Sequence, residues 1–145
     1  MKSIPIVLSA AFLAACATLP AGGPGGPAAA PTLPSTPLEM GDWRHVGAEQ
    51  ELAAFEGAVE HRYVAGLDLS AASADLRRAQ FTCTANQDTR GDPPAQICRK
   101  TLTEAGCTHT WQVHLWDHAG DAKLARSRGL YDRRCGGDGL LGGPG

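Results

Sequence analysis

The segment from Cys107 to Trp116 alternates between two sets of side chains, and this alternation constrains the fold more than any other feature of the 145-residue chain. Every second residue of a β-strand points to the same side of its sheet. One side would carry Cys107, His109, Trp111, Val113 and Leu115, and the other Thr108, Thr110, Gln112, His114 and Trp116. Because valine, threonine and tryptophan favour strands, we expect a strand with one buried face.

A second extended segment, Leu124–Cys135, follows a reversal at residues 118–121 whose Gly-Asp pair suits a turn. With the tip of an antiparallel hairpin at residues 120–122, facing residues lie about 4.5 to 5.5 Å apart. Four pairs then stand opposite each other: Trp116 and Arg126, His114 and Arg128, Trp111 and Tyr131, Cys107 and Cys135. This register predicts a cation–π pair, an aromatic pair and a disulfide.

Four of the five cysteines lie in the second half of the chain: Cys83, Cys98, Cys107 and Cys135. An even number in an exported chain indicates disulfides. Because the hairpin register joins Cys107 to Cys135, Cys83 and Cys98 remain to close the polar loop 84–97. A zinc site, the alternative, would favour close Cys-x-x-Cys spacing, which these cysteines lack.

Two upstream segments have helical periodicity. Apolar residues that include Phe55 and Val59 recur at helical spacing and predict an amphipathic helix over about 48–64. A shorter helix with a narrower apolar stripe is predicted over 70–80. Small residues on the hairpin, Ser127 and Gly129, would let a helix approach closely. The predicted fold class is α+β: two helices packed on a small antiparallel sheet, stapled by the two disulfides.

Composition divides the rest of the chain into segments. Residues 1–15 combine Lys2 with an apolar stretch, as in a secretory signal, and the stretch is too short to span a bilayer, which needs about 20 residues. Residues 16–38, rich in proline, glycine and alanine and without charge, predict a linker. Residues 39–135 have the size of one domain. The glycine-rich segment 136–145 predicts a disordered tail.

The run Leu13-Ala14-Ala15-Cys16 resembles the lipobox of bacterial lipoprotein precursors. The resemblance implies cleavage before Cys16, lipidation of its thiol and attachment to a membrane through that lipid. Ala17 stands where an aspartate would resemble an inner-membrane retention signal, so the resemblance implies an outer-membrane protein that faces the periplasm. An ordinary cleavable signal with a coincidental cysteine is the alternative, but it would leave Cys16 unpaired.

Charge is distributed unevenly although the formal net charge is only −2. Acidic residues predominate from Glu39 to Asp68 and basic residues from Lys123 to Arg134. The two regions could simply lie near each other. Alternatively, a basic strip could bind an anionic envelope component, such as lipid headgroups, a polysaccharide or other anionic polymer, or an acidic protein surface. The strip comprises Arg126, Arg128, Arg133 and Arg134. Nucleic acid is not expected as a partner in this compartment.

The outward side of the hairpin is the predicted interaction face: Gln112, His114, Trp116, Arg126 and Arg128. Tryptophan and arginine dominate binding hot spots, although Trp116 could equally be buried in a second core layer. The function expected from the sequence is therefore that of a membrane-anchored periplasmic lipoprotein with a small interaction or structural domain.

No catalytic, metal-binding or cofactor-binding residues are predicted. His109 and His114 would point to opposite faces of a strand, and His114 and His118 would lie about 13 Å apart at 3.3 Å per residue. The sequence contains no catalytic motif such as Gly-x-Ser-x-Gly or His-Glu-x-x-His. A small cell-envelope hydrolase remains the alternative function, and its candidate residues on the first helix are Glu56, Glu60 and His61.

Two helical stretches followed by antiparallel strands, in a lipid-anchored domain, resemble the SmpA-type accessory lipoproteins of outer-membrane barrel assembly. The run Val64-Ala65-Gly66-Leu67-Asp68-Leu69-Ser70 is similar to that family's glycine-containing entry into a helix. The two disulfides, the missing third strand of the sheet and the acidic first helix depart from the family. The resemblance implies a scaffold role and assigns no functional residues.

Overall fold

The computed structural model describes residues 29–117 and 120–137. Two helices precede a sheet of four antiparallel strands, so the predicted α+β class is confirmed. In chain order the elements are α1 (Ala48–Arg62), α2 (Leu69–Arg78), β1 (Thr82–Ala85), β2 (Gln96–Glu104), β3 (Cys107–Asp117) and β4 (Leu124–Cys135). The strands lie in the sheet in the order β1-β2-β3-β4.

Charge favours α1 at both of its ends and α2 at its C-terminal end, where Arg77 and Arg78 lie. Glu49 and Glu51 lie in the first turn of α1, and His61 and Arg62 in its last turn, where they complement the helix dipole. Helix α2 starts one residue before the predicted position and ends at Arg78. Gln80, with φ 68°, then takes a left-handed conformation that turns the chain towards β1.

Strands β3 and β4 form the predicted hairpin in the predicted register. Cys107 lies opposite Cys135, and Trp116 lies opposite Arg126. The ring centroids of Trp111 and Tyr131 are 5.2 Å apart. The register shifts between Trp116 and Asp117, where β4 contains one extra residue. The pairing agrees with the alternation of buried and half-buried side chains along β3.

Strand β2 was not predicted from the sequence, and the expectation that the sheet lacks a third strand is wrong. A two-residue turn, Ala105-Gly106, joins β2 to β3, and both residues have positive φ values (51° and 76°) as in a type I′ hairpin turn.

Both predicted disulfides are present. Cys83 and Cys98 lie directly opposite each other on the neighbouring strands β1 and β2. The segment 84–97, which was predicted to be a polar loop, therefore contains strand residues at both ends, and the loop itself comprises residues 86–95.

The core lies between the helices and one face of the sheet. The β3 side chains Trp111, Val113 and Leu115 are no more than 1% exposed and belong to the same cluster as Phe55 and Val59 of α1. They are three of the five β3 residues predicted to share one side; of the other two, His109 is buried and Cys107 is half-buried. Helix α2 adds Ala72 and Leu76 to the cluster.

Helix α1 packs directly on β4, at Gly129. A Cβ atom at this position would lie 3.0 Å from the Cα atom of Glu56 and 3.0 Å from the carbonyl oxygen of Phe55. On the same side, the Ser127 hydroxyl donates to the carbonyl of Tyr63 at 2.9 Å. Small residues thus permit the close approach that the sequence predicted.

The end of the predicted linker packs on the helical layer. We call residues 33–38 the strap; within it Leu38 is 7% exposed and Leu33 is half-buried against the core. The guanidinium of Arg62 donates to the carbonyl oxygen of Thr36 at 2.6 Å and to that of Pro34 at 3.3 Å. Contacts with the domain therefore begin upstream of residue 39.

Arg62 is held by a buried carboxylate. Its Nε donates to Asp75 at 2.7 Å, and the Tyr63 hydroxyl donates to the same carboxylate at 2.8 Å. Burial by itself raises the pKa of Asp75, but the hydrogen bonds from Arg62 and Tyr63 outweigh it and lower that pKa. An ionised pair therefore connects α1, α2 and the strap.

Several sequence predictions lie outside the described residues: the signal segment 1–15, Cys16, the linker as far as residue 28, and the tail from residue 138. Residues 118 and 119 of the predicted hairpin reversal also lie outside them. Within the described ranges, no helix has the length and apolar character needed to cross a membrane.

Candidate binding face

The sheet has one covered face and one that we call the open face. Because α1, α2 and the strap all lie on the same side, side chains of the opposite parity point away from the helices. Most of them are polar. The central ones on β2, β3 and β4 are Ile97, Arg99, Thr101, Thr110, Gln112, His114, Trp116, Arg126, Arg128 and Leu130.

All five residues of the predicted interaction face belong to the open face. Directly opposed across β3 and β4 are His114 and Arg128, and likewise Trp116 and Arg126. Gln112 lies opposite Leu130. Gln112 and His114 are half-buried, whereas Arg126 and Arg128 are exposed.

Trp116 is covered, and its exposed fraction is only 8%. The guanidinium carbon of Arg126 lies 3.8 Å from the centroid of its ring, which is the predicted cation–π pair. The indole Nε1 donates to the carbonyl of Asp92 at 3.0 Å, and the Asp92 carboxylate accepts from Arg126 at 2.7 Å. Trp116 therefore supports this corner of the face from beneath Arg126.

Acidic side chains neutralise part of the predicted basic strip. Arg128 donates to Glu56 of α1 at 3.2 Å, and Arg134 donates to Asp132 at 2.9 Å. Arg133 has the opposite parity, stands across from His109 and donates to the carbonyl of Val46 at 3.4 Å. The acidic helix and the basic strand thus do lie near each other, and the strip is divided between two sides of the sheet.

Arg99 of β2 joins the open face although the sequence analysis did not select it. It lies directly opposite Gln112, and its Nη2 donates to the Gln112 side-chain oxygen at 3.3 Å. His114 Nε2 is 3.5 Å from the same oxygen. The sequence signal that could have identified Arg99 is Gly106. A glycine directly before β3 indicates a turn, and a turn there implies a preceding strand that contains Arg99.

Burial lowers the pKa of His114, and the positive charges of Arg128 and Arg99 lower it further. The imidazole is therefore held in its neutral form near pH 7. Arg99 and Arg128 thus place positive charge on the strands either side of His114, at the centre of the open face.

Among the described residues, the candidates for catalysis or metal binding lie in different environments. Glu56 is paired with Arg128, while Glu60 and His61 are exposed on α1. His109 lies on the covered side, with Nδ1 2.7 Å from the Tyr131 hydroxyl, whereas His114 lies on the open face. Within residues 29–117 and 120–137, no three metal-ligating side chains come together.

No protein-family model, curated protein or solved structure matches this chain.

Proposed function

We propose that this protein is a lipid-anchored component of the bacterial cell envelope, and that its small domain binds another envelope component through the open face. Lipidation at Cys16 and a periplasm-facing location at the outer membrane are part of the proposal, and both rest on the run Leu13–Cys16 and on Ala17. Two disulfides in one small domain fit an oxidising compartment.

One observation supports binding over catalysis. The open face is a polar, cationic sheet surface, and the arginines at its centre and corner are paired with Gln112 across strands, with Asp92 of a loop and with Glu56 of α1. A binding surface requires complementary charge and shape. A hydrolase would instead require a nucleophile, a base and an orienting group within hydrogen-bond reach of one another.

The anchor is tested by replacing Cys16 with serine in the full-length chain. We expect wild-type protein to fractionate with membranes and its mature N-terminal peptide to carry acyl mass, and Cys16→Ser to lose both. Wild-type protein released without acyl mass would refute the anchor. It would leave the binding role of the domain open to the next experiment.

The binding role is tested with a photo-cross-linking residue in the anchored protein in intact envelopes. The probe at Gln112 lies on the open face, and the matched control at Gln50 lies exposed on α1. We expect a discrete adduct from Gln112 and none from Gln50. Equal labelling at both positions, or no adduct at Gln112, would contradict an interaction through the open face.

A further inference from the structure

The centre of the open face contains four polar side chains on three adjacent strands. We call this group the cationic centre: Arg99 of β2, Gln112 and His114 of β3, and Arg128 of β4. Strand spacing and rise place the Cα atoms of Arg99 and Arg128 roughly 12 Å apart, on either side of β3. Both side chains are long enough to reach one ligand that lies along β3.

The arginines of the open face differ in how fully they are compensated. Arg126 is stacked on Trp116 and paired with Asp92, and Arg134 is paired with its neighbour Asp132. Arg128 uses only Nε towards Glu56, which leaves its two terminal nitrogens without a partner among the described residues. The partner of Arg99 in that part of the chain is the neutral amide of Gln112. Uncompensated positive charge therefore lies at the centre.

A carboxylate is the ligand that this arrangement fits. Guanidinium groups bind planar carboxylates through paired hydrogen bonds. Hydroxyls beside the centre, at Thr101 and Thr110, both donate and accept hydrogen bonds, as the backbone of a peptide does. A bilayer surface fits less well, since interfacial binding uses exposed apolar side chains. The exposed large apolar residues among those described, Val64 and Leu102, lie off the open face.

We propose that the cationic centre binds a carboxylate-rich segment of a partner protein, laid along β3 between Arg99 and Arg128. This inference rests on the proposed function, because it takes the open face as the interaction surface. A carboxylate over His114 also favours the imidazolium form, so binding raises the pKa of that histidine.

The test measures binding of a labelled hexaglutamate peptide to the full mature chain in detergent micelles. We expect the double variant Arg99→Ala/Arg128→Ala to weaken binding at least tenfold. Arg77→Ala, which removes an exposed arginine on α2, is the matched control and should change affinity less than twofold. The NMR titration of His114 should shift to higher pH when the peptide is bound, and this readout reports on the site itself.

Two other anions test whether the cationic centre prefers carboxylates to phosphates. Inorganic polyphosphate of equal charge and phosphatidylglycerol vesicles are titrated against wild type and the double variant. The carboxylate assignment is wrong if either anion binds more tightly than the peptide and loses as much affinity as the peptide does when Arg99 and Arg128 are replaced. Equal peptide affinity for wild type and double variant would also overturn it. A Gln112 adduct in envelopes alongside such a result would preserve the proposed function and eliminate only this inference.

Discussion

Glu51 is a buried carboxyl group at the contact between α1 and the sheet. It is fully buried; its Oε1 accepts a hydrogen bond from the Trp111 indole at 3.3 Å, and Oε2 has no partner in the described part of the chain. Gly41, with φ 73°, passes so close to this carboxylate that a Cβ atom there would overlap it. Burial raises the pKa of Glu51, the bond from Trp111 lowers it, and nearby Asp42 raises it, so the net shift is upward.

Replacing Glu51 with glutamine should remove a pH dependence of stability. A carboxyl whose pKa is higher in the folded state binds its proton more tightly there, so stability falls as pH rises from the unfolded value, 4.5, through the folded pKa. Denaturant unfolding across pH 4 to 8 should show the free energy of unfolding of wild type falling relative to Glu51→Gln. Glu49→Gln, at an exposed position of the same helix, should follow wild type. Parallel curves for wild type and Glu51→Gln would contradict the prediction.

Gly129 sets the distance between α1 and β4. Gly129→Ala would press a methyl group against the backbone of Glu56 and Phe55, and overpacking of this kind costs about 1 to 3 kcal/mol. Gly57→Ala, on α1 with nothing within 4 Å of the new Cβ, should instead stabilise by about 0.5 to 1 kcal/mol. Denaturant melts measure the free energy of unfolding of both variants. An unchanged value for Gly129→Ala would contradict the prediction and show that α1 can move away from β4 without loss of stability.

At the scale of the elements, the β2–β3 turn holds an alanine in a conformation that alanine disfavours. Ala105 has φ 51°, and a left-handed conformation costs a non-glycine residue roughly 1 to 2 kcal/mol. Asparagine is preferred at this position of a type I′ turn. We expect Ala105→Asn to raise the free energy of unfolding by up to about 1 kcal/mol, as measured by thermal and denaturant melts. Unchanged or reduced stability would argue against this turn type.

The two disulfides fasten different parts of the sheet. Chain entropy assigns about 3 kcal/mol to the Cys83–Cys98 closure and about 3.6 kcal/mol to the longer Cys107–Cys135 closure. Cys98 is fully buried in the core, whereas Cys107 and Cys135 are half-exposed. We therefore expect Cys83→Ala/Cys98→Ala to lower the melting temperature more than Cys107→Ala/Cys135→Ala. The reverse order would mean that loop closure outweighs packing here.

The strap is part of the folded domain, so the domain of the whole molecule begins upstream of residue 39. A chain that starts at residue 39 loses Leu33 and Leu38, along with the two carbonyls that accept from Arg62. We expect fragment 39–137 to melt below fragment 29–137 and to expose the Arg62 side chain, as read by calorimetry and amide exchange in α1. Equal melting temperatures would show that the strap adds nothing to stability.

Much of the fold could be predicted because its signals are local. The alternation in β3 and the facing cysteines of β3 and β4 were sufficient to predict their register, the disulfide and the Arg126–Trp116 pair. Strand β2 was missed because its charged and threonine residues resemble a polar loop. Its pairing with β1 on one side and β3 on the other makes it a strand. Arg99 was missed with it, and so was half of the cationic centre's charge.

The fold class, the disulfide pairing and the register of β3 with β4 could all be predicted from the sequence, because each follows from side-chain period or spacing along short segments. Tertiary structure alone decided which cations are compensated, how deeply Trp116 is covered, and where the domain begins. Those outcomes depend on contacts between distant residues, such as Arg128 with Glu56 and Arg62 with Thr36. A sequence contains both partners of such contacts but not the distance between them.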